Sequence, residues 1–128
     1  DRTSCFGPCP VYTVVIQRSG DVQFTGREHT RAVGMAIGKA SRRDLALLDE
    51  ALQRANFFEL RDQYESQADG CTQTATDSPS VVVRVRLGSK DKRVSYYLGC
   101  LGLENRRQLM WLVDTIDEVA GTSKWLKQ

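Results

Sequence analysis

The hydrophobic pattern of the chain begins with a β-branched run. Between Pro10 and Arg18, Val11, Thr13, Val14, Val15 and Ile16 favour extended backbone, and Ser19-Gly20-Asp21 supplies turn chemistry before a second strand from Val22 to Arg27. Side chains alternate across a strand, so Tyr12, Val14 and Ile16 share one face of this hairpin, with Val22 and Phe24 as their partners. The segment from Thr30 to Lys39 contains Gly34 and Gly38, which weaken a helix, and reads as a third, irregular strand.

A helical period follows. Ser41 and Asp44 have the spacing of a capping box, and Leu45, Leu48, Leu52 and Ala55 recur at three and four, predicting a helix over 42–56. Phe57, Phe58 and Leu60 lead into a polar stretch, residues 61–80, that reads as a long loop; loops of that length are uncommon unless functional or tied down. Val81, Val83, Val85 and Leu87 alternate with Arg84 and Arg86, and Gly88 to Asp91 turns this strand into another from Lys92 to Leu98. Leu109, Leu112, Val113, Ile116 and Ala120 mark a last helix over 104–120, with Gly121 placed to end it.

This order predicts an α+β fold: an antiparallel sheet of four to five strands with two helices packed on one face, in a single domain spanning 1–128. The sheet face turned away from the helices then carries Thr13, Gln17, Gln23, Thr25, Arg84, Arg86, Arg93, Ser95 and Tyr97, and is polar and mildly basic.

Composition narrows the function classes. With 41% apolar and 27% charged residues in 128 positions, the chain suits one globular core. No apolar run approaches the roughly 20 residues of a spanning helix, so no transmembrane segment is expected. Eighteen basic and 16 acidic side chains are scattered along the chain for a net charge of +2, which gives no basic field for a nucleic acid. The first residue is Asp1, with no segment of signal-peptide type, and a removed targeting segment is expected.

Cys5, Cys9, Cys71 and Cys100 are an even set in a small chain, which suits two disulfides in an oxidising compartment. Three pairings are open to four cysteines; Cys5–Cys9 with Cys71–Cys100 is favoured because turn-forming residues flank each position. A Cys71–Cys100 bridge would contribute roughly 3.5 kcal/mol by loop-closure entropy.

The candidate chemistry is sparse. Cys5-Phe6-Gly7-Pro8-Cys9-Pro10 has a CxxxCP spacing that resembles the motif of Sco-type copper chaperones, although here a β-branched strand follows rather than a helix, and His29 is the only histidine. A copper or thiol-redox site of Cys5, Cys9 and His29 is therefore the alternative to a structural disulfide, since thiolate and imidazole suit Cu(I). Zinc knuckles, a nucleophile elbow and phosphate-binding glycine loops are not found, and no cofactor is expected. The carboxylates Asp114, Asp117 and Glu118 read as a solvated helix face, and Asp77 as a turn residue or a partner contact.

Several features together resemble an uncharacterised bacterial family of small envelope-associated domains, many behind signal or lipoprotein peptides. They are Cys5-Phe6-Gly7-x-Cys9-Pro10-x-Tyr12, Gly20, Gly26, Asp77-x-Pro79, and a Val-x-Val strand before Tyr96-x-x-Gly99. The likeness runs from about Ser4 to Trp125 and implies a periplasmic domain or an outer-membrane lipoprotein facing the periplasm. The functional expectation is a non-enzymatic domain that binds another envelope protein, such as a toxin or hydrolase, as an inhibitor or immunity protein. Arg84, Arg86, Arg93, Tyr97 and Asp77 are the expected partner-binding residues.

Overall fold

In the computed structural model, which describes residues 1–126, strand β1 (Val11–Ile16) turns into β2 (Asp21–Glu28), and β2 pairs antiparallel with β3 (Gly34–Lys39). The turn closes with Gln17 N–H donating to the Asp21 carbonyl at 2.9 Å and Gly20 N–H donating to the Gln17 carbonyl at 2.8 Å. Gly20 has φ +93°, and a Cβ there would lie 2.6 Å from the Ala40 carbonyl oxygen, so glycine is required both by backbone conformation and by space. Val14 stands opposite Phe24 and Ile16 opposite Val22, as the alternation predicts. Tyr12, Val22 and Phe24 are buried.

Helix α1 (Arg42–Arg54) starts at the expected capping box: Asp44 N–H donates to Ser41 Oγ at 3.0 Å, and Ser41 N–H donates back to the Asp44 carboxylate at 3.4 Å. A 3₁₀ turn, Phe57–Glu59, follows. The segment read as a loop then contains β4 (Gln63–Tyr64) and β5 (Gln73–Thr74). The second hairpin joins β6 (Ser80–Leu87) to β7 (Lys90–Tyr97), and β8 (Cys100–Leu101) pairs with β5. Helix α2 (Arg106–Ala120) ends where expected, at Gly121 with φ +69°, and a short α3 (Ser123–Leu126) follows. Lys127 and Gln128, which the single-domain expectation includes, lie outside the described residues.

The class is α+β, with three helices, but the expected sheet of four to five strands does not form. The strands divide into β1-β2-β3, β4-β7-β6 and the pair β5-β8. The pairing of β4 with β7 is also parallel rather than antiparallel. Two-residue strands such as β4, β5 and β8 are too short to show alternation, so their pairing is decided by what lies beside them. The two three-stranded sheets are joined through the N-terminal segment, where Arg2 forms an antiparallel bridge to Tyr12 of β1 and another to Val81 of β6.

Each sheet has its own buried contacts. Ala51, Phe57, Val94, Tyr96, Leu109 and Leu112 belong to one cluster that packs α1 and α2 against β7. Under the first sheet, Phe24 stacks between Tyr12 at 5.4 Å and Trp125 of α3 at 4.9 Å between ring centroids.

Both expected disulfides are present, Cys5–Cys9 with Cα atoms 5.8 Å apart and Cys71–Cys100 with Cα atoms 5.2 Å apart. The second is buried and ties the long loop to β8. Asp69 holds the same loop from inside. Its carboxylate accepts the Glu65 N–H at 2.9 Å and the Ser66 N–H at 3.3 Å, with Arg61 at 3.4 Å. The backbone N–H of Glu65 is the main reason that its carboxyl is held below the usual carboxylate range.

A folded pKa below the unfolded one means that the ionised carboxylate stabilises the fold above pH of about 4, and that this is lost as pH falls through the lower folded value. Asp69→Asn is therefore expected to lower the thermal midpoint at pH 7. The gap to the unmodified chain should narrow below pH of about 4. Calorimetry across pH 2.5–7 checks this, and a gap that stays constant would show that the charge plays no part.

Candidate partner-binding surface

The side of the first sheet turned away from α3 is less polar than its sequence suggests. Register places Val15, Gln23 and Ile37 in one row and Thr13, Thr25 and Met35 in the next. Ile37 is 77% exposed, Met35 68% and Val33, just before β3, 77%. On its other side β3 offers Ala36 opposite Phe24 and Gly38 opposite Val22. Small residues are needed there because Trp125 lies close: a Cβ on Gly38 would come 3.1 Å from its ring. With the inner side filled by Phe24 and Trp125, the larger apolar residues of β3 stand outward.

Among the described residues, β3 pairs with β2 alone, so its other edge keeps backbone N–H and C=O groups unpaired by a strand. An exposed apolar edge strand is a template for pairing with another chain. The sequence signal for this site was Val33-x-Met35-x-Ile37 set against Gly34, Ala36 and Gly38. It was obscured because glycine-rich alternation does not say which side the core occupies.

The structure brings three of the expected partner-binding residues together. Arg84 stands opposite Arg93 across the second hairpin, and Arg86 lies two residues further along β6. Asp91 takes both Arg84 contacts, at 3.0 and 2.7 Å, and an Arg86 contact at 3.4 Å. The bond from Arg84 holds the Asp91 carboxyl below the usual carboxylate range. With one carboxylate among three guanidinium groups, the patch stays net positive.

The other two residues have structural tasks elsewhere. Tyr97 hydroxyl donates to the Ala75 carbonyl at 2.6 Å and accepts the Ser78 N–H at 3.2 Å, which pins the loop. Asp77 sits at φ +62°, a conformation that aspartate tolerates, and its carbonyl accepts the Phe6 N–H at 3.2 Å. That bond anchors the Cys5–Cys9 loop, on which Phe6 is 87% exposed.

Cys5 and Cys9 are bonded to one another, so neither offers a thiolate, and His29 lies in the bend after β2 at φ +54°. Among the described residues no group of three His, Cys, Asp or Glu side chains is placed to hold a metal ion.

Asp117 departs from the expected solvated helix face. Arg2 forms an ion pair with one carboxylate oxygen, and the Tyr12 hydroxyl donates to the other at 2.7 Å. Thr122 Oγ1 lies 3.2 Å from that same oxygen. Helical phase explains the error, because Asp117 follows Val113 by four residues and shares its inward side, while Asp114 is exposed. Burial, reinforced by the Asp117 charge, pushes the Tyr12 hydroxyl pKa up strongly, so it remains a donor throughout the physiological range.

Asp117→Ala would leave Arg2 and the Tyr12 hydroxyl partly buried without their acceptor. The expected loss is about 2–3 kcal/mol in chemical denaturation, with Asp117→Asn retaining part of it. Equal stability of the alanine variant would show that the ion pair does not hold the N-terminal segment.

No curated protein and no solved structure matched this chain. One family model does, over residues 1–120, described as a domain of unknown function, DUF6438. The paired cysteines are compatible with an extracytoplasmic location, and no described helix is long and apolar enough to cross a membrane. With nearly its whole length matched, the chain belongs to the DUF6438 family.

Proposed function

We propose that the chain is a non-enzymatic protein-binding domain of the bacterial envelope, an inhibitor or immunity protein held in the periplasm or on an outer-membrane lipoprotein. The observation that carries this is the exposure of Val33, Met35 and Ile37 on and beside an unpaired edge strand. A partner strand placed along β3 gains main-chain hydrogen bonds and covers those side chains. The net positive group of Arg84, Arg86 and Arg93 supplies steering toward an acidic partner, an effect on association rate more than on affinity. The two disulfides favour an oxidising compartment.

Ile37→Lys, on the outward side of β3, is expected to leave the fold intact and weaken the complex at least about tenfold, or ~1.4 kcal/mol. Capture from envelope extract identifies the partner, and titration with that purified partner measures the change. Arg84→Ala with Arg93→Ala should instead slow association and reduce its salt dependence. Failure to capture a specific partner, or equal affinity of the Ile37→Lys chain, overturns the proposal.

A further inference from the structure

Between β1 and β6 the molecule has an open cleft of about 720 Å³. Leu48 and Leu52 of α1 and Val113 and Ile116 of α2 are among the residues that line it. The strands on either side are antiparallel partners of the same short segment. Arg2 N–H donates to the Tyr12 carbonyl at 2.8 Å and Tyr12 N–H donates back at 3.3 Å. On the other side, Val82 N–H donates to the Asp1 carbonyl at 2.9 Å, Thr3 N–H to the Ser80 carbonyl at 3.0 Å, and the Asp1 nitrogen to the Val82 carbonyl at 2.9 Å. Residues 1–3 thus behave as the last rungs of a central strand.

Past Asp1 the rungs stop while the side strands continue. The alternation that turns Tyr12 toward Arg2 also turns the peptide groups of Val14 and Ile16 into the cleft. Across it, Arg84 and Arg86 follow the same phase as Ser80 and Val82. Among the described residues, β1 pairs only with β2 and this segment, and β6 only with β7 and this segment. From Tyr12 to Ile16 the edge of β1 runs about four extended residues, or roughly 13 Å.

We infer that the cleft is the seat of one further β-strand, formed by polypeptide joined directly to the Asp1 nitrogen. Register fixes its course. A residue bonded to Asp1 falls between Val14 and Val83, and the residue two before it falls between Ile16 and Val85. Both turn the same way as Arg2, toward the helices, so apolar side chains belong at these positions.

Covalent continuity is favoured over a separate peptide by what lies at the mouth. The Asp1 nitrogen already makes the bond a strand amide would make. Burial, with Arg2 close by, lowers the pKa of its ammonium form, a penalty that an amide at the same place does not carry. A separate strand would have to end against that amine, whereas a joined one arrives at high effective concentration. The seated strand would unite the two three-stranded sheets along their length, and the cleft would be interior rather than a ligand site.

Fusing Thr-Val-Thr-Val to Asp1 puts valine at both inward positions, and amide hydrogen exchange reads the outcome. The N–H groups of Val14, Ile16, Arg84 and Arg86 are expected to exchange at least about tenfold more slowly than in the 128-residue chain. The out-of-phase extension Val-Thr-Val-Thr should protect them less. No protection by either extension, or equal protection by both, overturns the inference. Equal protection by the free Thr-Val-Thr-Val peptide added in excess also overturns it, because the seat would then serve a separate partner.

Discussion

The Arg2–Asp117 ion pair is the contact on which the junction of the two three-stranded sheets depends. Arg2 makes backbone bridges to both β1 and β6, and its side chain is held by a carboxylate on α2 that also binds the Tyr12 hydroxyl. A partly buried charge is costly unless its partner is fixed, and Asp117 is fixed by the helix that carries it. The pair therefore sets the position of the N-terminal segment relative to helix and both sheets at once.

The second half is organised around Cys71–Cys100. The bridge brings β5 beside β8, while Asp69 gathers the backbone of residues 65 and 66 and Tyr97 grips residues 75 and 78. A stretch of loop composition becomes ordered through side chains that satisfy its backbone, since its own residues offer little apolar surface to bury. The Cys5–Cys9 pair plays a more local part, shaping a loop fastened through Asp77.

The cysteines are bonded to one another, and the carboxylates of Asp69 and Asp117 accept structural donors. What stands free is the apolar outer side of β3, together with three arginines sharing one aspartate on the second hairpin. Trp125 makes the first of these, because it takes the space under Gly38 and obliges β3 to present its bulk outward.

By itself the sequence determined the elements that rest on neighbours in the chain. These were the two main hairpins, the capped helix starting after Ser41, the glycine that ends α2, and the even cysteine set that pointed to two disulfides. Each follows from local geometry, in which alternation, capping and turn residues act over a few positions. Only tertiary structure decided the split into separate sheets, the parallel pairing of β4, the inward placement of Asp117 and the exposure of β3. In the last three of these the deciding partner is distant in the chain: Tyr96 for Tyr64, Arg2 for Asp117, Trp125 for Gly38. Side-chain periodicity shows that a strand has two faces, and only the packed molecule shows which face meets the core.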